Sequence, residues 1–302
     1  MINSTVTDAA RKLGVSEETI AGLLDRWIER AVDWDAWERL GVLGLDAIAL
    51  KRGHRAFVVW VTVPLAGEGV AMVAGLAART KETVAAFLGA IPEPLRHTIE
   101  RACTAMDEGF VRASEEAVPW AEVVIDRFHV ARAYRDGADP VRKKELKRRK
   151  RVRPQAEYAE IPGARGPLRR RPAALKPSEW ELLERVFTSS PKIEAAYHLR
   201  EDLTEVFEPD DTKVGATGAI RAWCKRGRAS GLAEFESVLG TSERGLDEIT
   251  NDCQGRQTRG FVAGFNTRVQ GLKRRCYGIF AVGRLFQRPT LDLHSDHLFG
   301  HP

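Results

Sequence analysis

One carboxylate in this 302-residue chain stands where a charge is costly. Asp46 lies in the middle of Arg39 to Lys51, RLGVLGLDAIALK, an apolar run typical of a strand that is buried on both faces. Burying a carboxylate is unfavourable unless a cation or hydrogen-bond donors compensate for it. Two interpretations are open at this point: an aspartate capped by backbone amides, or a metal-binding carboxylate on a central strand. The second requires other carboxylates at suitable positions downstream.

The elements around Asp46 predict a mixed sheet flanked by helices. Residues 55–64 (RAFVVWVTVP) and 69–76 (GVAMVAGL) read as a hairpin of two strands. A helix capped by Thr80 follows and ends before Pro92, and residues 95–106 hold a fourth strand in their second half. A helix over 108–117 and a fifth strand over 121–125 complete the series. This order of strands and helices is that of the RNase H-like fold, so the predicted class is α/β.

Asp107 closes the predicted fourth strand. In the RNase H-like fold one carboxylate lies midway along the first strand and another at the end of the fourth, and Asp46 and Asp107 occupy those positions. Two carboxylates facing one pocket repel each other unless a hard cation that prefers oxygen lies between them. The sequence therefore predicts that Asp46 and Asp107 bind Mg²⁺ or Mn²⁺, with their carboxylates within about 7 Å of each other.

Residues 5–27 predict a helix-turn-helix. Two short helices are separated by a turn at Gly14, and Ser16 is placed to cap the second helix. Small residues are expected where the helices cross, and larger ones in a shared core: Ala9 and Ala10 at the crossing, then Leu13, Val15, Ile20 and Leu24. Helical hairpins with no DNA role have the same pattern, so DNA binding and simple packing both remain open.

The positive charge is unevenly distributed. The formal net charge is only +5, but nine of the twelve residues from Arg142 to Arg153 are Lys or Arg, and further clusters follow at 165–171 and 273–275. A solvated helix face is the alternative for any one cluster, but three clusters favour contact with phosphate backbones. The predicted DNA-binding residues are Arg142, Lys143, Lys144, Lys147, Arg148, Arg149, Lys150, Arg151, Lys273, Arg274 and Arg275.

The segments predict five parts along the chain: a helix-turn-helix segment (1–35), the first part of the core (36–132), a basic helical insertion (133–258), the last core helix with its following segment (259–288) and a tail (289–302). The last core helix is expected to pack on the sheet. Three histidines in the tail, His294, His297 and His301, are interpreted as an accidental cluster in a poorly ordered end.

The composition excludes several classes of protein. No apolar run reaches the roughly eighteen residues that a transmembrane helix needs, and the chain begins in polar sequence, so we expect a cytoplasmic protein with no membrane partner. The four cysteines, Cys103, Cys224, Cys253 and Cys276, are far apart and form no CxxC pair. Neither a zinc knuckle nor a disulfide framework is indicated.

Five blocks of sequence resemble one family. They are LGLDAIALKRGH (43–54), AMDEGFVRA (105–113), AEVVIDRFHV (121–130), SPKIEAAYHLREDL (190–203) and GFVAGFNTRVQGLKRRCYG (260–278). The chain is similar in these blocks to bacterial insertion-sequence transposases of the Asp-Asp-Glu superfamily, in the ISL-three branch. The resemblance implies an RNase H-like catalytic domain with a helical insertion before its last helix. It also implies metal-dependent cleavage of double-stranded DNA at transposon ends and transfer to a target, near the bacterial nucleoid, with a homo-oligomer as an open option.

The resemblance also assigns roles to individual residues. Asp46 becomes the first catalytic carboxylate and Asp107 the second. Asp126 and His129 belong to a DxFH signature after the fifth strand and are interpreted as supporting the site or holding the edge of the sheet.

The third acid of the family is missing from its motif. The family has VEGxN on the final helix, whereas this chain reads VAGFN over 262–266, so Ala263 stands at the glutamate position and Asn266 is left as a supporting residue. Loss of one carboxylate should weaken the second metal most and impair catalysis. Glu248 and Asp252 are acidic alternatives, but both precede the predicted helix.

Two hypotheses from different classes follow. The first is a transposase with impaired activity. The second is a DNA-binding protein or regulator derived from a transposase, without catalysis. A protein with no DNA role is a distant third.

Overall fold

The computed structural model describes residues 5–28, 32–49, 57–65, 69–152, 155, 158–207 and 212–254, and the single positions 269, 287 and 290. The chain forms two compact units: Met1–Asp126 with Gln257–Pro302, and Arg127–Arg256. The first contains the β-sheet and is called the sheet unit below. The second is called the helical unit.

The sheet unit contains the five predicted strands. They are β1 (Gly41–Ala49), β2 (Phe57–Pro64), β3 (Val70–Leu76), β4 (Ile99–Thr104) and β5 (Glu122–Ile125), in the spatial order β3-β2-β1-β4-β5. The first three strands pair antiparallel, whereas β4 runs parallel to β1 and β5 parallel to β4. This confirms the α/β class and the mixed sheet, and it is consistent with an RNase H-like transposase fold.

One face of the sheet is covered by two helices, α3 (Lys81–Ala90) and α5 (Glu108–Ala117). Leu43 and Leu45 of β1 point to this face and are fully buried with Leu88 and Phe110. Burying each such side chain contributes about 1.5–3 kcal/mol. A one-turn helix that the sequence had not indicated, α4 (Glu93–Arg96), lies between α3 and β4. Because side chains alternate along a strand, even-numbered residues of β1 point to the opposite face, where Val42 packs with Cys103 and Val124.

The N-terminal segment forms two helices, α1 (Val6–Leu13) and α2 (Glu17–Trp27). Gly14 adopts φ +67° between them, a left-handed conformation that ends α1 and that favours glycine. The Ser16 hydroxyl accepts a hydrogen bond from Thr19 N at 3.2 Å and caps α2 as predicted.

The predicted core of this helix pair is partly wrong. Ala9, Ala10 and Ile20 are buried and pack with Val6, and Leu24 is buried with Ile28. Leu13 and Val15, in contrast, are 67% and 40% exposed. The core is centred on Val6, near the start of α1, so residues at the end of α1 and in the turn lie beyond the packed region.

The helical unit contains six α-helices among its described residues: α6 (Arg127–Val152), α7 (Pro177–Ser189), α8 (Pro191–Phe207), α9 (Lys213–Ala229), α10 (Glu236–Arg244) and α11 (Leu246–Asn251). Aromatic residues build its centre. The Tyr134 ring of α6 stacks on Phe235 at 4.8 Å and meets the edge of Trp223 at 5.9 Å. The Trp223 indole donates to Leu199 O at 2.7 Å, and the Tyr134 hydroxyl donates to Ala196 O. Burial raises the pKa of Tyr134 above its ordinary value, so its hydroxyl stays a donor.

The described cysteines are thiols packed in the interior. Cys103 and Cys224 are buried and Cys253 is half-buried, all three without a disulfide, and burial raises the pKa of Cys224 to about 11. Cys276 lies outside the described residues. Among the helices that the structure describes, none is both long and apolar enough to cross a membrane.

Candidate active site

Asp46 lies in the centre of β1 and is only 5% exposed. It stands directly opposite Trp60 of β2, which is also buried, so its carboxylate has a largely apolar neighbour. Asp46 Oδ1 accepts a hydrogen bond from the next backbone amide, Ala47 N, at 2.6 Å. A backbone amide therefore meets this carboxylate, as the first interpretation expects, and the strand is central in the sheet. Metal binding by Asp46 stays a prediction.

The strand register brings Asp107 to the same part of the sheet. The last β1–β4 pair is Leu45 with Thr104, and Ala105 N then donates to Leu45 O at 3.1 Å. Asp46 follows that pair directly on β1, and Asp107 follows two residues after Ala105. Both aspartates therefore lie at the carboxyl end of β4, as the sequence suggested. The separation of their carboxylates stays a prediction.

The Asp107 side chain has two partners in the structure. Its Oδ1 accepts from Gly109 N at 2.9 Å and caps α5. Its Oδ2 accepts from Arg79 Nε at 3.0 Å and from Arg79 Nη2 at 2.6 Å. A Cβ atom at position 109 would lie 3.1 Å from Asp107 Oδ1, so a glycine there leaves room for the carboxylate. The backbone amide and the guanidinium together fix this side chain.

Arg79 is the residue of this site that the sequence did not single out. It precedes α3, and its guanidinium lies 5.3 Å from the centroid of the Phe57 ring while it pairs with Asp107. Cation and ring attract each other, which adds to the ion pair. The pairing joins residues 28 positions apart, and no local spacing signals it.

The donor chemistry of the two aspartates fits a hard divalent cation. Carboxylate oxygens are the ligands that Mg²⁺ and Mn²⁺ prefer, and both aspartates lie at one end of β4. Asp107 offers its Oδ2 only in competition with the Arg79 guanidinium. No cluster of three or more Asp, Glu, His or Cys side chains suited to a metal occurs within the described ranges.

Other predicted site residues are distributed over both units. Asp126 directly follows β5, is buried, and its amide donates to Thr104 O at 3.2 Å, which extends the pairing with β4. His129 is half-buried on α6. Glu248 lies on α11 and Asp252 follows it in a short 3₁₀ helix. Ala263, Asn266, Lys273, Arg274 and Arg275 lie outside the described residues, as do the three histidines of the tail.

The basic run on α6 divides into paired and unpaired cations. Five of its predicted DNA-binding residues are near acids of the same unit: Arg142 and Lys143 contact Asp139, Lys144 contacts Glu234, and Arg148 and Arg149 contact Glu145. Lys147, Lys150 and Arg151 are exposed and have no ion-pair partner in the described part of the chain. Ion pairs within the helical unit therefore neutralise part of the positive charge that is counted from the sequence.

Glu145 anchors the paired group. It is only 4% exposed and accepts from Arg148 Nε at 3.1 Å, from Arg148 Nη2 at 2.9 Å and from Ser190 Oγ at 3.1 Å. The hydrogen bonds from Arg148, opposed by burial, hold the pKa of Glu145 below its ordinary value. Arg148 therefore holds the buried Glu145 in place, in addition to contributing positive charge to α6.

Comparisons with known proteins agree with this architecture. A family model described as a transposase, DDE_Tnp_ISL3, matches residues 43–288. The transposase for insertion sequence element IS1001 of Bordetella parapertussis is 25% identical over 277 residues. That match covers 91% of this chain and 66% of the relative, so the chain spans slightly less than two thirds of the relative's length. The family match covers well over half of the chain and includes Asp46, Asp107 and position 263. The chain therefore belongs to the ISL3 family of insertion-sequence transposases.

Proposed function

We propose that the protein binds the DNA ends of an insertion sequence and has the architecture for metal-dependent strand cleavage and transfer, with catalysis impaired by Ala263. The observation that carries the proposal is the position of Asp46 and Asp107 at the carboxyl end of β4, in a chain of this family. Family membership implies DNA as a partner, and transposases of this superfamily generally use divalent metal ions.

Asp46 and Asp107 are the residues that would hold the metal ions. Bound divalent ions activate a nucleophile at neutral pH and stabilise the charge that develops on a phosphodiester. Asp46 contributes a buried carboxylate on a rigid strand, and Asp107 one that its cap to Gly109 N keeps oriented. Asp126, His129 and Asn266 take supporting roles in this proposal. With Ala263 in place of the third acid, we expect the second metal to bind weakly.

DNA binding is assigned to two surfaces. The three unpaired cations of α6, Lys147, Lys150 and Arg151, are available for contacts with backbone phosphates. The helix pair α1–α2 is the second surface, in the helix-turn-helix role. These contacts would position the protein on DNA and need not read its sequence.

A second function has support in the same site. A DNA-binding regulator without catalysis needs no metal, and two observations favour it: Ala263 replaces the third acid, and Arg79 occupies Asp107 Oδ2. In this alternative the pair Arg79–Asp107 is a structural ion pair that joins the segment before α3 to the start of α5.

Restoring the acid distinguishes the two functions. We expect Ala263→Glu to raise Mg²⁺-dependent nicking of DNA that contains the element's ends by at least about tenfold over the parent, because a carboxylate returns to the metal site. The isosteric Ala263→Gln is the matched control and should stay at the level of the parent. The assay measures nicked product on a supercoiled plasmid at several Mg²⁺ concentrations.

Equal inactivity of all three proteins, each folded and each bound to DNA, would refute the catalytic assignment and support the regulator. Activity that rises equally in the Glu and Gln variants would show that volume at position 263, rather than charge, is what changed.

A further inference from the structure

The helical unit contains a cavity of about 610 Å³ lined by α6, by the 3₁₀ turns at 163–169 and by α8. Cavities of this size commonly hold a single small-molecule ligand. Its charges are predominantly positive: among the described residues, seven cationic side chains line it, with one carboxylate, Asp139. The cations are Arg132, Arg135, Arg142, Lys143, Arg165, Arg169 and Arg200.

Three of these cations already have structural partners. Arg142 and Lys143 both pair with Asp139. Burial would raise the pKa of Asp139, but hydrogen bonds from Lys143 and Arg142 outweigh it and lower the pKa. Arg200 donates to Leu168 O and Arg170 O, pairs with Glu201, and stacks over the Tyr197 ring at 4.9 Å.

Four arginines remain uncompensated. Arg132 and Arg135 lie one turn apart on α6, and Arg165 and Arg169 lie on the 3₁₀ turns. All four are exposed, and none of their side chains has a hydrogen-bond or ion-pair partner among the described residues. Like charges around one concavity repel each other, which is unfavourable in the absence of an anion. Guanidinium groups match phosphate oxygens with two parallel hydrogen bonds.

Part of the cavity lining is apolar, and one of these residues is aromatic. Leu168, Ile193, Ala196 and Tyr197 contribute to it beside the cations. This combination suits a ligand with one flat apolar part and one strongly anionic part. The phosphates of an intact duplex lie on the outside of a cylinder whose bases are stacked, so a duplex can contact only the rim. An unpaired nucleotide can place both its base and its phosphate inside.

We propose that this cavity binds one phosphorylated nucleotide, with the phosphate held by Arg132, Arg135, Arg165 and Arg169 and the base against the apolar lining. The nucleotide is either free or an unpaired residue of a DNA strand. The proposal does not depend on Asp46, Asp107 or the catalytic assignment, because every residue that it uses belongs to the helical unit.

The test compares two double variants of the full chain that each remove two positive charges. Arg135→Ser with Arg169→Ser removes two uncompensated cavity cations. Arg221→Ser with Lys225→Ser is the matched control: both residues are exposed on α9, outside the cavity lining, without a partner in the described structure. Since Arg135 and Arg169 have no side-chain partner among the described residues and repel the neighbouring cations, the cavity variant should melt at or above the temperature of the parent.

Binding of fluorescein-labelled single-stranded dT12 is measured by anisotropy at fixed salt. We expect the cavity variant to lose about tenfold or more in affinity and the control about twofold or less, because two charge-assisted contacts are lost only in the first. The affinity for a duplex of the same length should fall by the same factor in both variants. Equal losses of dT12 affinity in the two variants, or a loss confined to the duplex, would overturn the proposal.

Competition then identifies the source of the nucleotide and tests the role of the base. Displacement of dT12 from the parent by free dTMP at millimolar concentration would assign a free nucleotide. Failure of dTMP, with displacement by unlabelled dT12, would assign a strand nucleotide. If inorganic phosphate displaced dT12 as effectively as dTMP does, the base would not be recognised and that part of the proposal would be overturned.

Discussion

The two units of this chain differ in whether their charged candidate residues have partners of their own. In the sheet unit the functional candidates are two acids, and each meets donors within the unit: Ala47 N for Asp46, and Gly109 N with Arg79 for Asp107. In the helical unit the candidates are cations, and several have no ion-pair partner among the residues that the structure describes. The first arrangement can stand without a ligand. The second leaves charge that an anion would compensate.

The comparison separates structural charge from charge that is available to a ligand. On α6, Arg148 and Lys147 are sequence neighbours in one basic run, yet Arg148 contacts the buried Glu145, whereas Lys147 has no ion-pair partner in the described part of the chain. Replacing the first should affect folding, and replacing the second should affect binding of a polyanion.

Glu145→Gln should lower the free energy of unfolding of the helical unit by about 1.5–3 kcal/mol, because it removes the charge that strengthens the hydrogen bonds from Arg148 to this buried carboxyl group. Urea unfolding followed by tryptophan fluorescence measures the change. Glu181→Gln is the control, since Glu181 is exposed on α7 and has no partner in the described structure.

The pH dependence of this difference has a defined sign. The pKa of Glu145 is lowered in the folded state from an ordinary value of 4.5, so its stabilisation is fully present above that value and disappears as the pH falls through the folded pKa. The gap between parent and Glu145→Gln should therefore close in acid. A gap that widens in acid, or one no larger than that of Glu181→Gln, would contradict a structural role for Glu145.

The sheet was the most predictable part of the chain, and for a physical reason. Its strands are continuous apolar runs bounded by turns and prolines, and caps such as Thr80 and Ser16 act over three residues, so local sequence carries both signals. Leu13 and Val15 were assigned to a core wrongly because the extent of packing depends on where the two helices cross.

Long-range pairing could not be predicted from the sequence. Arg79 reaches Asp107 across 28 positions, and Lys144 reaches Glu234, because the fold and not the spacing brings them together. The basic run on α6 was therefore interpreted as one surface, whereas five of its members have acidic neighbours. The sequence did not predict the cavity for the same reason, since its four uncompensated arginines come from α6 and from turns about thirty residues later in the chain.

Lys147 and Lys144 should differ, by a smaller effect, in how much each contributes to the salt dependence of DNA binding. Each phosphate contact contributes about 0.9 to the slope of log affinity against log salt for duplex DNA, so Lys147→Gln should reduce this slope by about that amount. Lys144→Gln should change it little, because Glu234 already compensates Lys144 at 2.8 Å and raises its pKa. Anisotropy at five salt concentrations measures both slopes. Equal slopes for the two variants would show that pairing within the unit does not decide which cations contact DNA.

The most direct test of the account is a Mn²⁺ titration of the full chain, followed by electron paramagnetic resonance of the free ion. If Asp46 and Asp107 share one ion, Asp46→Asn and Asp107→Asn should each weaken its binding by at least about tenfold, with Asp35→Asn, an exposed acid of the same unit, as the control. Arg79→Gln should tighten binding several-fold, because it frees Asp107 Oδ2. Mn²⁺ affinity that is unchanged in both Asp46→Asn and Asp107→Asn would contradict a shared metal site.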